Sequence, residues 1–483
     1  MKINHLSSFD FGASDMDSGI FFETAASRLS AGGRAVAYFA LPDGASSRLV
    51  MCVAFDREGR LEVYSTLVRR PFRSLTPSFP QLHLFEREIY EQSGLKPEGH
   101  PWLKPIRFNT PGSVPGVADY FKVHGVQVHE VAVGPVHAGV IEPGHFRFQC
   151  HGEHVFHLEI MLGYQHRGVE KRFIGGPDGR SIHYAETLAG DTSIGHGWAY
   201  CGAIEALAGV NPPARAQVLR GLMLELERMA NHTGDLGALA GDVAFLPTAS
   251  FCGRLRGDLL NMSALVCGNR FGRNMLKPGG VNFDLDQELV KELKLRLENT
   301  LRDAENAVAL LWETGSVIER FEGTGVLVKE AAEGLGIVGP AARASGVGLD
   351  TRRNFSCGPY EDFTMSVSGS GDVYSRAYVR WLEIQKSAEL VRGWLDALPE
   401  GRIEAECGEL KPDSAAVSLV EGWRGQICHF AVTGRDGKLR HYKVVDPSFH
   451  NWQALAMALR NGEISDFPVC NKSFNLSYCG RDL

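Results

Sequence analysis

From Ala35 to Val68, three runs rich in β-branched and aromatic residues, Ala35–Leu41, Arg48–Phe55 and Leu61–Val68, alternate with the turn pairs Asp43-Gly44 and Glu58-Gly59. This is hairpin chemistry and predicts an antiparallel sheet. Helical segments bracket it at Phe21–Leu29 and Leu82–Gln92. Pro97, Pro101, Pro105, Pro111 and Pro115 then interrupt regular structure, because proline lacks the backbone donor that helices and strands use. Past them, Phe146, Phe148 and Cys150 alternate with polar residues. After His151-Gly152-Glu153-His154 the alternation resumes at Phe156, Leu158, Ile160 and Leu162, which predicts a further β-hairpin.

From about residue 165 the period becomes helical. Asn211-Pro212-Pro213 reads as a capped helix start, and Val218, Leu219, Leu222, Met223, Leu226 and Met229 form an apolar stripe of the kind that packs in a bundle. Further helices are predicted at about 250–276, 285–318 and 372–395, and short strands at Ala415–Val420, Gln426–Val432 and His441–Val445. The fold class is therefore α+β. A small N-terminal α/β-sandwich-like domain occupies residues 1–96 and a Pro-rich linker 97–120; a mainly helical bundle with a β-hairpin and peripheral short strands follows over 121–483.

Composition narrows the function. The 57 acidic and 50 basic residues of this 483-residue chain are intermixed, with a formal net charge of −7 and no long run of one sign, which argues against a nucleic-acid partner. No stretch approaches the roughly 20 apolar residues that cross a bilayer, and the N-terminus leads into polar residues rather than a signal-peptide core. Ten cysteines, at 52, 150, 201, 252, 267, 357, 407, 428, 470 and 479, include no C-x-x-C pair, so reduced and mostly buried thiols are expected. Within the glycine-rich stretch from Gly323 to Gly348, Gly336-Ile337-Val338-Gly339-Pro340 lacks the spacing of a dinucleotide loop. Those glycines suit close backbone packing or a cavity-lining loop.

Several motifs follow one another in order. They are Phe85-Glu86-Arg87-Glu88-Ile89-Tyr90, Gly99-His100-Pro101, the stretch from Gly134 to His145 that includes Ile141-Glu142-Pro143-Gly144-His145, and Gly163-Tyr164-Gln165-His166-Arg167-Gly168-Val169-Glu170-Lys171. Glu225-Leu226-Glu227-Arg228 with Asn231-His232, Arg343-Ala344-Ser345-Gly346, Gly371-Asp372-Val373-Tyr374 and Glu421-Gly422-Trp423-Arg424-Gly425 complete the series. Together they resemble the large subunit of energy-converting nickel-iron hydrogenases (formate hydrogenlyase and hydrogenase-4 type) and the related quinone-site subunit of respiratory complex I. The first two motifs resemble the small complex I subunit, fused ahead of the large one as in hydrogenases of this type.

The departures decide what that resemblance implies. A nickel-iron centre needs soft thiolates from two C-x-x-C pairs. The matching positions here are Ala189, Thr192, Ser448 and Asn451, so no nickel-iron site and no hydrogen chemistry are expected. The resemblance to complex I implies a quinone head held between a histidine and a tyrosine, and the matching positions are Ile141 and Gly190, which have no hydrogen-bonding side chain. His137, His145 or Tyr164 would have to substitute.

The remaining polar residues define the expected cavity. Glu142, Arg424, Asp191 and Asp446 are candidates for proton transfer, and His137, His145, His196 and Asp242 for a quinone or polar-ligand site. Asp242 matches the complex I aspartate that couples the quinone site to the membrane arm. The resemblance implies no cofactor bound by this chain, a [4Fe-4S] cluster in a small iron-sulfur partner, a possible quinone, antiporter-like membrane-arm partners in a hetero-oligomeric complex, and a peripheral place on the cytoplasmic side of the inner membrane. The expected function is a nickel-free large subunit that couples electron transfer from the partner cluster to proton or ion translocation. Two other readings stand beside it: a structural scaffold with a vestigial cavity, and a metalloenzyme using His145, His196, Asp446 and His450 as ligands. The tail from Asn471 to Tyr478 is a candidate to fill the vacated cavity.

Overall fold

The computed structural model describes residues 1–137, 141–355 and 358–483. Ala138, Gly139 and Val140 of the predicted hairpin loop, and Cys357, lie outside the described residues. In the N-terminal part, β1 (Ser8–Asp10) and α1 (Ser18–Ser30) precede the hairpins β2 (Arg34–Asp43), β3 (Ser46–Phe55) and β4 (Arg60–Val68), and α2 (His83–Ser93) follows. Strands β2, β3 and β4 pair antiparallel in sequence order, as the turn residues predict. Residues 99–120 form turns and bends.

Next comes a sheet of β5 (His129–Val133), β6 (His145–His151) and β7 (His154–Met161). The sequence predicts its hairpin but not β5, whose side chains are exposed or half-buried and show no apolar alternation. The bundle is α3 (Ser193–Ala208), α4 (Ala214–Asp242), α5 (Leu246–Cys267), α6 (Gln287–Glu313) and α7 (Val373–Asp396). Helix α4 is its axis: 22 of its 29 residues are buried, so it is enclosed on every side rather than along the predicted stripe alone. Helix α5 stops at Cys267, short of the predicted 276, because Gly268 turns into the left-handed region at φ 74°.

The main correction concerns the last strands, β8 (Ser414–Gly422), β9 (Gly425–Thr433) and β10 (Leu439–Val445). They are central rather than peripheral, since every position of β8 and β9 is buried. Their runs are apolar on both faces, and such strands need cover on both sides. The N-terminal sheet lies on one side, where Phe39 meets Phe430 edge-on at 5.2 Å, and α3 lies on the other. Strand β1 pairs directly with β8. The two parts of the chain thus share a core. Their junction is also pinned by charge: Lys443 reaches Glu88 at 2.7 Å and Glu170 at 3.0 Å. The chain closes with α8 (Pro447–Ala458), α9 (Phe467–Phe474) and α10 (Tyr478–Asp482).

Candidate functional site

The hairpin between β8 and β9 turns through Gly422-Trp423-Arg424-Gly425 and points Arg424 at the start of α3. Backbone crosses backbone beneath it. A Cβ on Gly339 would stand 2.1 Å from the Arg424 carbonyl oxygen, so only glycine fits there. This is the close packing expected of the glycine-rich stretch. Arg424 donates to Asp191 Oδ1 and Oδ2 at 2.6 and 2.8 Å, and its guanidinium stacks 3.8 Å from the Trp423 ring centroid. Burial works against both charges, but each sustains the other: Asp191 is held below the usual carboxylate range and Arg424 above its ordinary value.

The tail completes the site. Arg424 Nε donates to the Asn475 carbonyl at 2.5 Å, Ser477 N donates to Ser448 Oγ at 2.8 Å, and Tyr478 N and Cys479 N donate to the Glu142 carboxylate at 3.3 and 3.1 Å. Asn475, in the left-handed region at φ 43°, also bonds Asp235 of α4. Beyond it, the Asp482 carboxylate accepts from Gly163 N and Gln165 N of the Gly163–Lys171 motif. Chain from 475 to 482 therefore lies against Arg424, Glu142 and Ser448, the last being one of the four positions at which the resemblance leads one to expect a metal ligand.

Those positions are themselves engaged. Thr192 Oγ1 accepts from Trp423 Nε1 at 3.1 Å, while Asn451 bonds both the N–H and the carbonyl of Val338 at 3.0 Å. With Ala189 offering no donor atom, the set does not fit a nickel-iron centre, which requires thiolates. The alternative ligand set also fails to converge. His196 and Asp446 bond each other, His145 bonds the Gly134 carbonyl, and His450 lies against Phe85, 5.6 Å between ring centroids. Among the described residues, no three His, Cys, Asp or Glu side chains stand where they could share a metal ion.

A buried hydrogen-bonded chain runs from this site into the fold. His196 Nε2 lies 3.0 Å from Asp446 Oδ2, His196 Nδ1 3.1 Å from His429 Nε2, and His429 Nδ1 2.8 Å from the Tyr442 hydroxyl. Ionised Asp446 can only accept, so His196 carries hydrogen on Nε2; with His196 neutral, His429 then carries its hydrogen on Nε2 and Tyr442 donates at the far end. Every hydrogen then points towards Asp446. Burial opposes the Asp446 charge, but the His196 bond and Arg424 hold its carboxyl below the usual range. Burial pushes the His429 imidazole far down and the Tyr442 phenol far up.

Of the predicted residues, the structure gathers Glu142, Asp191, His196, Arg424 and Asp446 around the tail and α3. Two others do structural work. His137 bonds the Gly144 carbonyl at 3.0 Å and His145 the Gly134 carbonyl at 3.1 Å, a reciprocal clasp on the loop ends. Asp242 ends α4 on the exposed surface, apart from this cluster. Sequence reasoning missed Glu227, Asp235, His429 and Tyr442. Glu227 accepts from Ile194 N and Gly195 N at 2.8 and 3.2 Å and so caps α3 from outside, and burial pushes its carboxyl up to about 8. The missed signal was spacing: Glu227, Asn231 and Asp235 recur every four residues and so share one face of the helix.

Residues 242–413 match the family model of the respiratory-chain NADH dehydrogenase 49 Kd subunit, and residues 35–117 that of its 30 Kd subunit. The carbon monoxide-induced hydrogenase of Rhodospirillum rubrum is 32% identical over 356 residues, covering 72% of this chain and 98% of that protein. Formate hydrogenlyase subunit 5 of Escherichia coli is 29% identical over 450 residues, covering 88% and 78%. An NADH-quinone oxidoreductase subunit from Dehalococcoides mccartyi is 30% identical over 339 residues, covering 69% and 92%. Carrying both matches in one polypeptide, the chain belongs to the family that unites the 49 Kd subunit of respiratory NADH dehydrogenase with the large subunits of membrane-bound hydrogenases.

Proposed function

We propose that this chain is a nickel-free large subunit of a membrane-associated, energy-converting oxidoreductase complex. A partner's [4Fe-4S] cluster delivers electrons to a quinone or another small acceptor, and this subunit couples that transfer to proton or ion movement. One observation supports the reading: the protein's own tail bonds Ser448, at one of the expected ligand positions, while the hydrogen-bonded chain Tyr442–His429–His196–Asp446 runs beside it. Charge rearrangement near Asp446 would draw a proton along that chain. Among the described residues no helix is long and apolar enough to cross a membrane, so partners supply the membrane contact. The test is nickel and iron content of the complex purified from native membranes. Iron without nickel is expected; one nickel per complex overturns the reading.

One observation favours a second reading, a scaffold with a vestigial site. Arg424 already bonds Asp191 and Asn475, which leaves the guanidinium engaged within the protein. Alanine at Glu142 and Arg424 separates the two readings. In an assembled complex, unchanged electron delivery to a water-soluble quinone and unchanged pumping support the scaffold, and loss of either supports coupling.

A further inference from the structure

Behind Arg424, four carboxylates and three guanidiniums form one connected lattice: Glu225, Asp350, Glu383 and Glu421 with Arg228, Arg343 and Arg352, each at most 2% exposed. Arg343 meets Glu383 at 2.6 Å, Glu421 at 2.8 Å and Asp350 at 3.3 Å. Arg352 meets Asp350 at 2.7 Å and Glu225 at 3.1 Å, and Arg228 meets Glu225 at 2.9 Å. His232 touches the lattice through Glu383 at 2.8 Å. The other charged neighbours have partners of their own, Arg380 with Asp235, Arg424 with Asp191, and Arg34 with Asp56, although the Arg34 charge also acts on Glu421. Glu227 faces the start of α3.

The count does not balance. Arginine keeps its proton in proteins, so with all four carboxylates ionised the lattice would hold an uncompensated negative charge away from water, which is strongly unfavourable. One proton restores neutrality. Its place follows from the hydrogen bonds. Glu225 receives donors from Arg228, Arg352, Tyr360 and Ser387, whereas Glu421 has Arg343 Nη1 and Thr351 N. His232 is a poor alternative, because Nδ1 has no partner and a charged ring would bury an N–H without an acceptor.

We propose that this lattice is a proton-binding site, holding one exchangeable proton on the Glu421 carboxyl three residues before Arg424. Burial and the nearby Asp350 charge both push Glu421 up, and burial pushes His232 down. The site is mechanically continuous with the functional turn. Arg228 donates to the Glu421 and Gly422 carbonyls at 2.6 and 3.0 Å, gripping the strand end that carries Trp423 and Arg424.

The proposal is independent of the nickel question and is tested by infrared spectroscopy of the intact complex at neutral pH in H2O and D2O. A carboxylic-acid C=O band is expected, after any contribution identified by Glu227→Gln is subtracted. Glu421→Gln should remove it. Asp350→Asn should remove it too, although Glu421 is intact, because three carboxylates then face three guanidiniums. A band that survives either substitution overturns the proposal. So does its absence from the wild-type complex, which requires no variant to fold.

Discussion

Arg343 and Arg424 are both buried guanidiniums, but their partners differ in kind. Arg343 is held by Glu383, Glu421 and Asp350, side chains from α7, β8 and the loop after Gly348. Arg424 is held by Asp191, whose side chain is 31% exposed, and by a main-chain oxygen of the tail. The lattice cannot lose a guanidinium without stranding carboxylate charge in a dry interior. The site can lose its tail and leave groups that water or another ligand could reach. Permanence is thus built from reciprocal side-chain charge, and conditional closure from backbone laid over polar groups.

The sharpest way to break this contrast is Arg343→Ala, which strands the Glu383 carboxylate. Removing one partner from a buried ion pair costs roughly 3–5 kcal/mol, so urea unfolding should show a loss of that order. A loss below about 1 kcal/mol would make the lattice no more demanding than a surface pair.

Asp482→Ala comes next. It leaves the buried Gly163 N–H and the half-buried Gln165 N–H without their acceptor, at a cost of roughly 1–3 kcal/mol. Its sharper readout is chemical. The half-buried Cys479 thiol should be alkylated faster as the tail loosens, while buried Cys428 is unaffected. Unchanged labelling of Cys479 would show that closure does not depend on this anchor.

The two carboxylates that meet α3 should respond to pH in opposite senses. Glu227 has its folded pKa raised to about 8, so its contribution to stability is full below the unfolded value near 4.3 and is lost as pH rises through 8. Glu227→Gln should therefore gain on the wild type from about pH 4.5 to 8. Asp446 has its folded pKa lowered, so its contribution is present above about 3.9 and lost as pH falls. Asp446→Asn should lose most near neutrality and converge on the wild type in acid. Thermal midpoints across pH check both, and parallel profiles would remove the distinction. Asp242→Asn should have the smallest effect, within about 0.5 kcal/mol by urea unfolding, because the residue is exposed at the end of α4.

The sequence carries the local signals well. Turn pairs and alternation locate β2 to β4 and the β6–β7 hairpin, since both depend on chemistry within a few residues. The polar motifs are legible as a set but not as a structure. Glu225, Arg228, Arg343 and Glu421 stand out in the chain, yet only folding reveals that all four enter one ion lattice. His429 and Tyr442 sit on strands among apolar residues, and nothing in their spacing connects them to His196, 233 residues away from His429. Asp242 shows the converse. Its position along α4 is legible, but the helix end carries it out to solvent.

The tail also changes how ligand affinity at this site must be understood. Because it is tethered, its competition is intramolecular, with an effective concentration that short tethers place on the order of millimolar, whatever the amount of protein present. An external acceptor or anion that needs Glu142 or Arg424 must outcompete the protein's own backbone. Its apparent affinity is reduced by the fraction of molecules whose tail is in place, and a partner that draws the tail aside would raise that affinity without touching the ligand.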